Sequence, residues 1–127
     1  MKYLLDTHAI IWLIDESSKM PQKIKDIIIN SENQIFISSV SLWEIALKVN
    51  LNKLNLNMGL NKLLSSIKRS EITVIQIEDT YLQILSSLPF IHKDPFDRLI
   101  IASAITEDLT IITTDENIKK YNVSWIW

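Results

Sequence analysis

Acidic side chains follow the predicted strands of this chain and open its most apolar helix. Asp6 comes directly after the first strand, Glu44 lies about one helical turn beyond the second, and Asp115 follows the fourth. Asp97 opens the apolar helix that begins at Asp94. Carboxylates held close together raise one another's pKa values or require a cation. Mg²⁺ suits such a set because it takes hard oxygen ligands and usually retains several waters.

A cation among these acids would favour phosphodiester chemistry. One ion can lower the pKa of a bound water and produce a nucleophile, and two can clamp the attacking and leaving oxygens. The residues leave open which applies. His8 and His92 lack metal-ligand spacing, which argues against zinc. With the four acids set aside, the formal net charge of -2 becomes +2, which favours a polyanionic substrate. Basic side chains near the acids are candidate phosphate contacts: His92, Lys93, Lys48, Lys53, Lys119 and Lys120.

Each acid also has a structural alternative. Asp6 fits a turn or a helix cap, and Ser41 with Glu44 matches a capping box. Glu44 is also four residues before Lys48, a favourable helical pair. Asp94 is a good N-cap before a proline, and Asp115 can cap a short last helix. These alternatives explain the residues singly but do not explain why acids gather at the strand ends.

The elements that position the acids alternate along the chain. Short apolar strands are predicted at residues 3–5, 35–37, 72–75 and 110–113, with a possible edge strand at 123–125. Helical periods separate them, with Thr7 as a candidate cap of the first helix. Such alternation predicts an α/β fold with a parallel sheet covered on both faces. Its functional crevice is expected beyond the carboxyl ends of the strands, where the acids lie.

Composition narrows the class of protein further. The 127 residues are 47% apolar, which is enough for one folded domain over residues 1–127. Without cysteine there is no disulfide scaffold, thiolate zinc site or cysteine nucleophile. With Gly59 as the one glycine there is no glycine-rich phosphate loop. Neither a targeting segment nor a membrane span is visible, so a cytoplasmic location is expected.

The aromatic and histidine residues are predicted to serve mainly structure. Trp12 and Trp43 are expected in the core, and Trp125 is expected to pack back on the fold. Trp127 is left open between packing and a partner surface. No role is assigned to His8 or to His92.

In four segments the chain resembles the PIN-domain nucleases, and specifically the VapC-like toxins of type II toxin–antitoxin pairs. The second and third segments together are specific, whereas the first and fourth would be weak alone. The segments occur in the family's order and span nearly the whole chain: Leu4-Leu5-Asp6-Thr7-His8-Ala9 with Trp12-Leu13, residues 38–48 around Glu44, residues 92–102 around Asp97, and Thr113-Thr114-Asp115.

The resemblance implies a PIN-like three-layer fold with a short, mainly parallel central sheet flanked by helices. It implies a metal-dependent endoribonuclease in which Asp6, Glu44, Asp97 and Asp115 are catalytic and bind Mg²⁺ or Mn²⁺. Asp97 is carried over rather than Asp94, which becomes a cap or outer group, and Thr113 supports a water or ion. The implied partners are an RNA substrate, a cognate antitoxin protein and a second copy of the chain in a homodimer.

Three other classes of protein fit these residues less well. A haloacid-dehalogenase-like phosphatase needs a second Asp two residues after the first, where this chain has His8. A receiver-type phospho-acceptor module would show paired acids after the first strand. A non-catalytic PIN-like scaffold that binds RNA or protein would be expected to lose one or more acids, and all four are present.

Overall fold

The computed structural model describes residues 1–127 as five strands and seven helices. The strands are β1 (Lys2–Leu5), β2 (Gln34–Ser38), β3 (Thr73–Ile75), β4 (Thr110–Ile112) and β5 (Trp125–Ile126). The helices are α1 (Thr7–Ile14), α2 (Gln22–Ile29), α3 (Ser39–Asn50), α4 (Leu60–Arg69), α5 (Asp79–Ser86), α6 (Pro95–Glu107) and α7 (Glu116–Lys119).

All strands run parallel in one sheet with the order β3-β2-β1-β4-β5. Leu5 of β1 stands beside Ile37 of β2 and Ile112 of β4, so these three strands end at the same level. The residues that follow them therefore meet at one edge of the sheet. This confirms the predicted α/β fold and its parallel sheet.

Alternate residues of the sheet face two apolar cores. On one face Tyr3 and Leu5 join a cluster with side chains from α1, α2, α3 and α4. On the other face Leu4 and Ile111 pack against α6 and α7. The sheet is thus buried between two helical layers, which explains its short, continuously apolar strands.

Helix α6 is the most buried helix, as its apolar sequence predicts. Seven consecutive residues from Arg98 to Ala104 are buried. Asp94 is its N-cap and accepts hydrogen bonds from the backbone N–H groups of Phe96 and Asp97 at 2.9 and 3.1 Å. Pro95 occupies the first turn. The prediction that Asp94 caps this helix is confirmed. The cap also fixes the backbone position of Asp97 in the first turn.

Two predicted caps are wrong because the helices start earlier than expected. Asp6, not Thr7, is the N-cap of α1 and accepts from the Ala9 N–H at 2.8 Å. Helix α3 begins at Ser39 directly after β2, with Ser38 as its N-cap. Ser41 is therefore inside the helix and fully buried, so the predicted capping box with Glu44 does not form.

Two of the tryptophan predictions are wrong as well. Trp43 is 61% exposed on α3 and packs against Phe96 in a T-shaped arrangement, at a centroid distance of 5.0 Å. Trp125 is 41% exposed, with the ammonium of Lys119 4.3 Å from its ring centroid. Trp127 is the packed one, edge-on to Trp12 at 5.4 Å. Helical spacing alone did not separate an apolar residue facing the core from one facing solvent.

Candidate functional site

The four predicted acids lie at the carboxyl end of the sheet, where β1, β2 and β4 finish. Asp6 follows β1, Asp115 follows β4 by three residues, Glu44 is in α3, and Asp97 is in the first turn of α6. The negative charges of Asp6, Glu44 and Asp115 each raise the pKa of Asp97. The structure therefore brings all four predicted side chains into one electrostatic neighbourhood.

Asp6 is almost fully buried and held at both of its oxygens. Oδ1 accepts from the Ala9 N–H, and Oδ2 accepts a short hydrogen bond from the Thr113 hydroxyl. Burial raises the pKa of Asp6, and the charge of Asp115 adds to the rise, while Thr113, Ala9 and His8 act in the opposite direction. Thr113 thus links the end of β4 to the end of β1 at the site. Its support of a bound water or ion stays a prediction.

Glu44 is also buried, at 4% exposure, and both of its oxygens have partners. Oε1 accepts from the Thr7 hydroxyl at 2.6 Å, and Oε2 lies 2.7 Å from the Lys48 ammonium. The Ser41 and Thr7 hydroxyls are 3.0 Å apart, so they form a chain that ends at Glu44. The predicted Glu44–Lys48 pair is confirmed. Glu44 therefore both pairs with Lys48 and lies buried in the site.

Asp97 is the second acid of the site with a raised pKa. Burial, as the largest cause, and the charges of Asp94, Asp115, Glu44 and Asp6 together raise its pKa to about 8. Its Oδ2 lies 3.2 Å from Nε2 of His92. Its Oδ1 has no hydrogen-bond partner in the protein and is not enclosed. An oxygen of this kind is available to a cation, a water or a substrate.

Asp115 has the structural role that its sequence context allowed and an additional place in the site. Its Oδ1 caps α7 by accepting from the Asn117 and Ile118 N–H groups at 2.8 and 3.0 Å. Its own N–H donates to the Thr113 hydroxyl oxygen at 2.9 Å. The same hydroxyl donates to Asp6. Asp115 and Asp6 are therefore connected through one threonine.

The acids do not form a closed metal cage. No three of the chain's acidic or histidine side chains are grouped so that they alone would hold a metal ion. The expectation that all four carboxylates ligate metal thus exceeds what this arrangement supports. The donor chemistry still fits Mg²⁺, which is commonly bound by only one or two carboxylates and keeps its remaining waters. The free Oδ1 of Asp97 and the raised pKa values of Asp97 and Asp6 indicate a site that a cation would stabilise.

Several residues of the site were not predicted from the sequence. Thr7 and Ser41 support Glu44, and Tyr121 and Arg98 form hydrogen bonds with His92. Thr7 and Ser41 had a local signal, since Thr7 follows Asp6 and Ser41 precedes Glu44 by one helical turn. Tyr121 had none, because it is 29 residues from His92 in sequence.

Comparison with known proteins agrees with the fold. The family model described as PIN domain matches residues 3–123. This chain therefore belongs to the PIN domain family. None of the curated proteins gives a match.

Solved structures share this fold over nearly their whole length. One is VapBC2 from Rickettsia felis bound to a DNA fragment from their promoter, with 21% identity, a TM-score of 0.74, and 99% of this chain and 98% of that chain covered. Another is VapBC-1 from nontypeable Haemophilus influenzae, with 16% identity, a TM-score of 0.71, and 99% and 97% covered. A third is VapBC-5 from Mycobacterium tuberculosis, a member of the VapBC family of toxin–antitoxin systems, with 16% identity, a TM-score of 0.66, and 98% and 97% covered.

None of the seven helices combines the length and the hydropathy that crossing a bilayer requires.

Proposed function

We propose that residues 1–127 act as one PIN domain and that it is a metal-dependent endoribonuclease, the toxin of a toxin–antitoxin pair. The observation that carries the proposal is the meeting of Asp6, Glu44, Asp97 and Asp115 at one edge of a parallel sheet in a PIN-family chain. The VapBC-5 relative is described as a member of a toxin–antitoxin family, which supports the toxin role.

The side chains divide into two groups in the proposed reaction. Asp97, through its free Oδ1, and one of Asp6 and Asp115 would hold Mg²⁺ or Mn²⁺ directly, and the other acid would reach the ion through its waters. Glu44 acts less directly, because the Lys48 ammonium 2.7 Å from Oε2 already balances its charge, whereas Asp6 has no ammonium or guanidinium partner. Glu44 would orient the water that attacks the phosphorus. When bound, the ion supplies Lewis-acid activation of that water and offsets charge on the phosphate oxygens. No side chain becomes covalently attached to RNA.

The direct test is cleavage of a total small-RNA pool by the purified protein with Mg²⁺ or Mn²⁺, and with EDTA. Asp97→Asn is the active-site variant. Asp108→Asn is its matched control, since it makes the same change at the exposed far end of the same helix, in a left-handed conformation that Asn tolerates. We expect discrete products from the wild type and from Asp108→Asn that need metal and fall at least 100-fold in Asp97→Asn.

Equal cleavage by Asp97→Asn and wild type would contradict the proposed site. No three acidic or histidine side chains are grouped to hold a metal ion, and this favours one alternative. The alternative is a non-catalytic PIN-like scaffold that binds RNA or protein. That alternative predicts RNA retention without new products, which the same gel and a filter-binding measurement would reveal.

A protein partner and a second copy of the chain are further parts of the proposal. Three exposed apolar side chains support a surface that another chain covers: Trp43 and Leu47 on α3, and Leu51 at its C-cap. We expect an antitoxin encoded beside this protein to bind it and suppress cleavage. Sedimentation of the protein alone and with that antitoxin would measure both associations.

A further inference from the structure

Arg98 is buried beside the site without a carboxylate partner. It is 8% exposed, and arginine is rarely buried unless its charge is compensated. Its Nη1 donates to the carbonyl oxygen of Pro89 and to the hydroxyl oxygen of Tyr121, both at 3.0 Å. Its guanidinium lies 4.6 Å from the ring centroid of Phe90. These contacts use Arg98 to hold the segment before α6, rather than leaving it free to contact a substrate.

The number of hydrogen bonds that a hydroxyl can form determines whether Tyr121 donates to His92 or accepts from it. A tyrosine hydroxyl has one proton to donate and two lone pairs to accept with. The Tyr121 oxygen accepts from Arg98 Nη1 at 3.0 Å and from the backbone N–H of His92 at 3.2 Å. Both lone pairs are therefore used. The close contact at 2.8 Å between this hydroxyl and Nδ1 of His92 is then a bond that the hydroxyl donates. The other acceptor within reach, the His92 carbonyl oxygen, is farther away at 3.4 Å.

An accepting Nδ1 places the ring proton of His92 on its other nitrogen. In a neutral imidazole one nitrogen donates and the other accepts. Nε2 therefore carries the proton, and it faces Oδ2 of Asp97 at 3.2 Å. Asp97 accepts this bond at Oδ2, while the Asp94 cap holds its backbone N–H. Oδ1 of Asp97 is then the oxygen left for a ligand.

We propose that Arg98 and Tyr121 fix the Nε2–H tautomer of His92, and that His92 is a positioning residue that orients Asp97 with Oδ1 toward the site. The role of Asp97 as a metal-binding group rests on the proposed function. The tautomer and the orientation of the carboxylate do not. Partners that orient a metal-binding side chain typically contribute 10- to 100-fold to metal affinity.

The tautomer is measured by two-bond ¹H–¹⁵N correlation of the histidine rings in the full chain. We expect His92 in the Nε2–H form in the wild type. Tyr121→Phe removes the donor to Nδ1 and should raise the population of the Nδ1–H form. Tyr81→Phe is the matched control, because that hydroxyl bonds Glu107, ten residues along α6 from Asp97 and about 15 Å away. An Nδ1–H His92 in the wild type, or no change in Tyr121→Phe, would overturn the inference.

The positioning role is tested with Mn²⁺ alone as the probe, by calorimetry. In His92→Gln the amide nitrogen takes the place of Nε2 and can still donate to Asp97. In His92→Asn it takes the place of Nδ1 and cannot reach. We expect Mn²⁺ affinity within about 3-fold of wild type for Gln and reduced about 10-fold or more for Asn. Circular dichroism would show that both variants fold.

Equal Mn²⁺ affinity in the two folded variants would overturn the positioning role. Failure of the wild type to bind Mn²⁺ would contradict the proposed function instead. The ring tautomer of the wild type and of Tyr121→Phe would then decide the inference, because that measurement needs no metal.

Discussion

At the scale of single residues, Asp97 has the property that most distinguishes the site. Burial, and after it the charges of Asp94, Asp115, Glu44 and Asp6, together raise its pKa to about 8. A group in this state is mainly protonated at pH 7 in the metal-free protein. A cation favours its ionised form, so metal binding is expected to release a proton.

The raised pKa of Asp97 predicts how metal-free stability changes with pH. Between about pH 4 and pH 8 the folded protein holds a proton on Asp97 that the unfolded chain has lost, so this group lowers the free energy of unfolding as pH rises. Asp97→Asn removes the effect. We expect the variant to gain on the order of 1 kcal/mol or more over the wild type at pH 8 in EDTA, and nothing near pH 4. Urea unfolding across this range measures it.

The control is Asp108→Asn, in which the same chemical change is made at an exposed position. Its stability should follow the wild type at every pH. If the free energies of unfolding of Asp97→Asn and Asp108→Asn had the same pH dependence, the carboxyl of Asp97 would not be the group whose pKa is raised by folding.

At the scale of elements, the sequence predicted the strands and helices well and their starts less well. Alternating apolar runs were enough for the parallel sheet, and parallel strands place the acids at one edge. The capping box at Ser41 failed because β2 runs into α3 without a loop, which local spacing does not reveal. The bonds from Thr7 to Glu44 and from Tyr121 to His92 join segments that are distant in sequence, so only the folded structure reveals them.

The cap at the start of α6 leads to a prediction that separates structure from chemistry. Asp94→Ala removes the acceptor for the Phe96 and Asp97 N–H groups and should lower the free energy of unfolding by about 1 kcal/mol. Asp94→Asn keeps an equally good cap, so it should unfold within a few tenths of a kcal/mol of wild type. Urea denaturation in EDTA compares the two. A loss in Asn as large as in Ala would show that the charge of Asp94, and not its cap, stabilises the protein.

At the scale of the whole molecule, the C-terminal strand β5 is the edge strand of the sheet beside the site. Strand β5 pairs with β4, and the Thr113 N–H donates to the Ile126 carbonyl oxygen at 3.1 Å. Thr113 in turn holds Asp6. The last residues therefore support an acid near the other end of the chain. The sequence did not show which of Trp125 and Trp127 packs inward, because strand alternation would place both on one face, and Trp127 lies beyond the two-residue strand.

A pair of tryptophan variants tests the packing of this strand. Trp127→Ala removes the contact with Trp12 and with the larger apolar cluster, and should lower the free energy of unfolding by roughly 2 kcal/mol. Trp125→Ala, on the exposed side, should lower it by less than about 1 kcal/mol. Urea unfolding provides both values. The reverse order would contradict the packing of Trp127 against Trp12.

The proposed cation site is tested most directly by locating Mn²⁺ in crystals of the protein by anomalous scattering. If Asp6, Asp97 and Asp115 surround a cation at the carboxyl end of the sheet, an anomalous peak lies within coordination distance of Oδ1 of Asp97 in the wild type and is absent in Asp97→Asn. A peak elsewhere, or wild-type crystals in saturating Mn²⁺ without a peak among these acids, would contradict the proposed site.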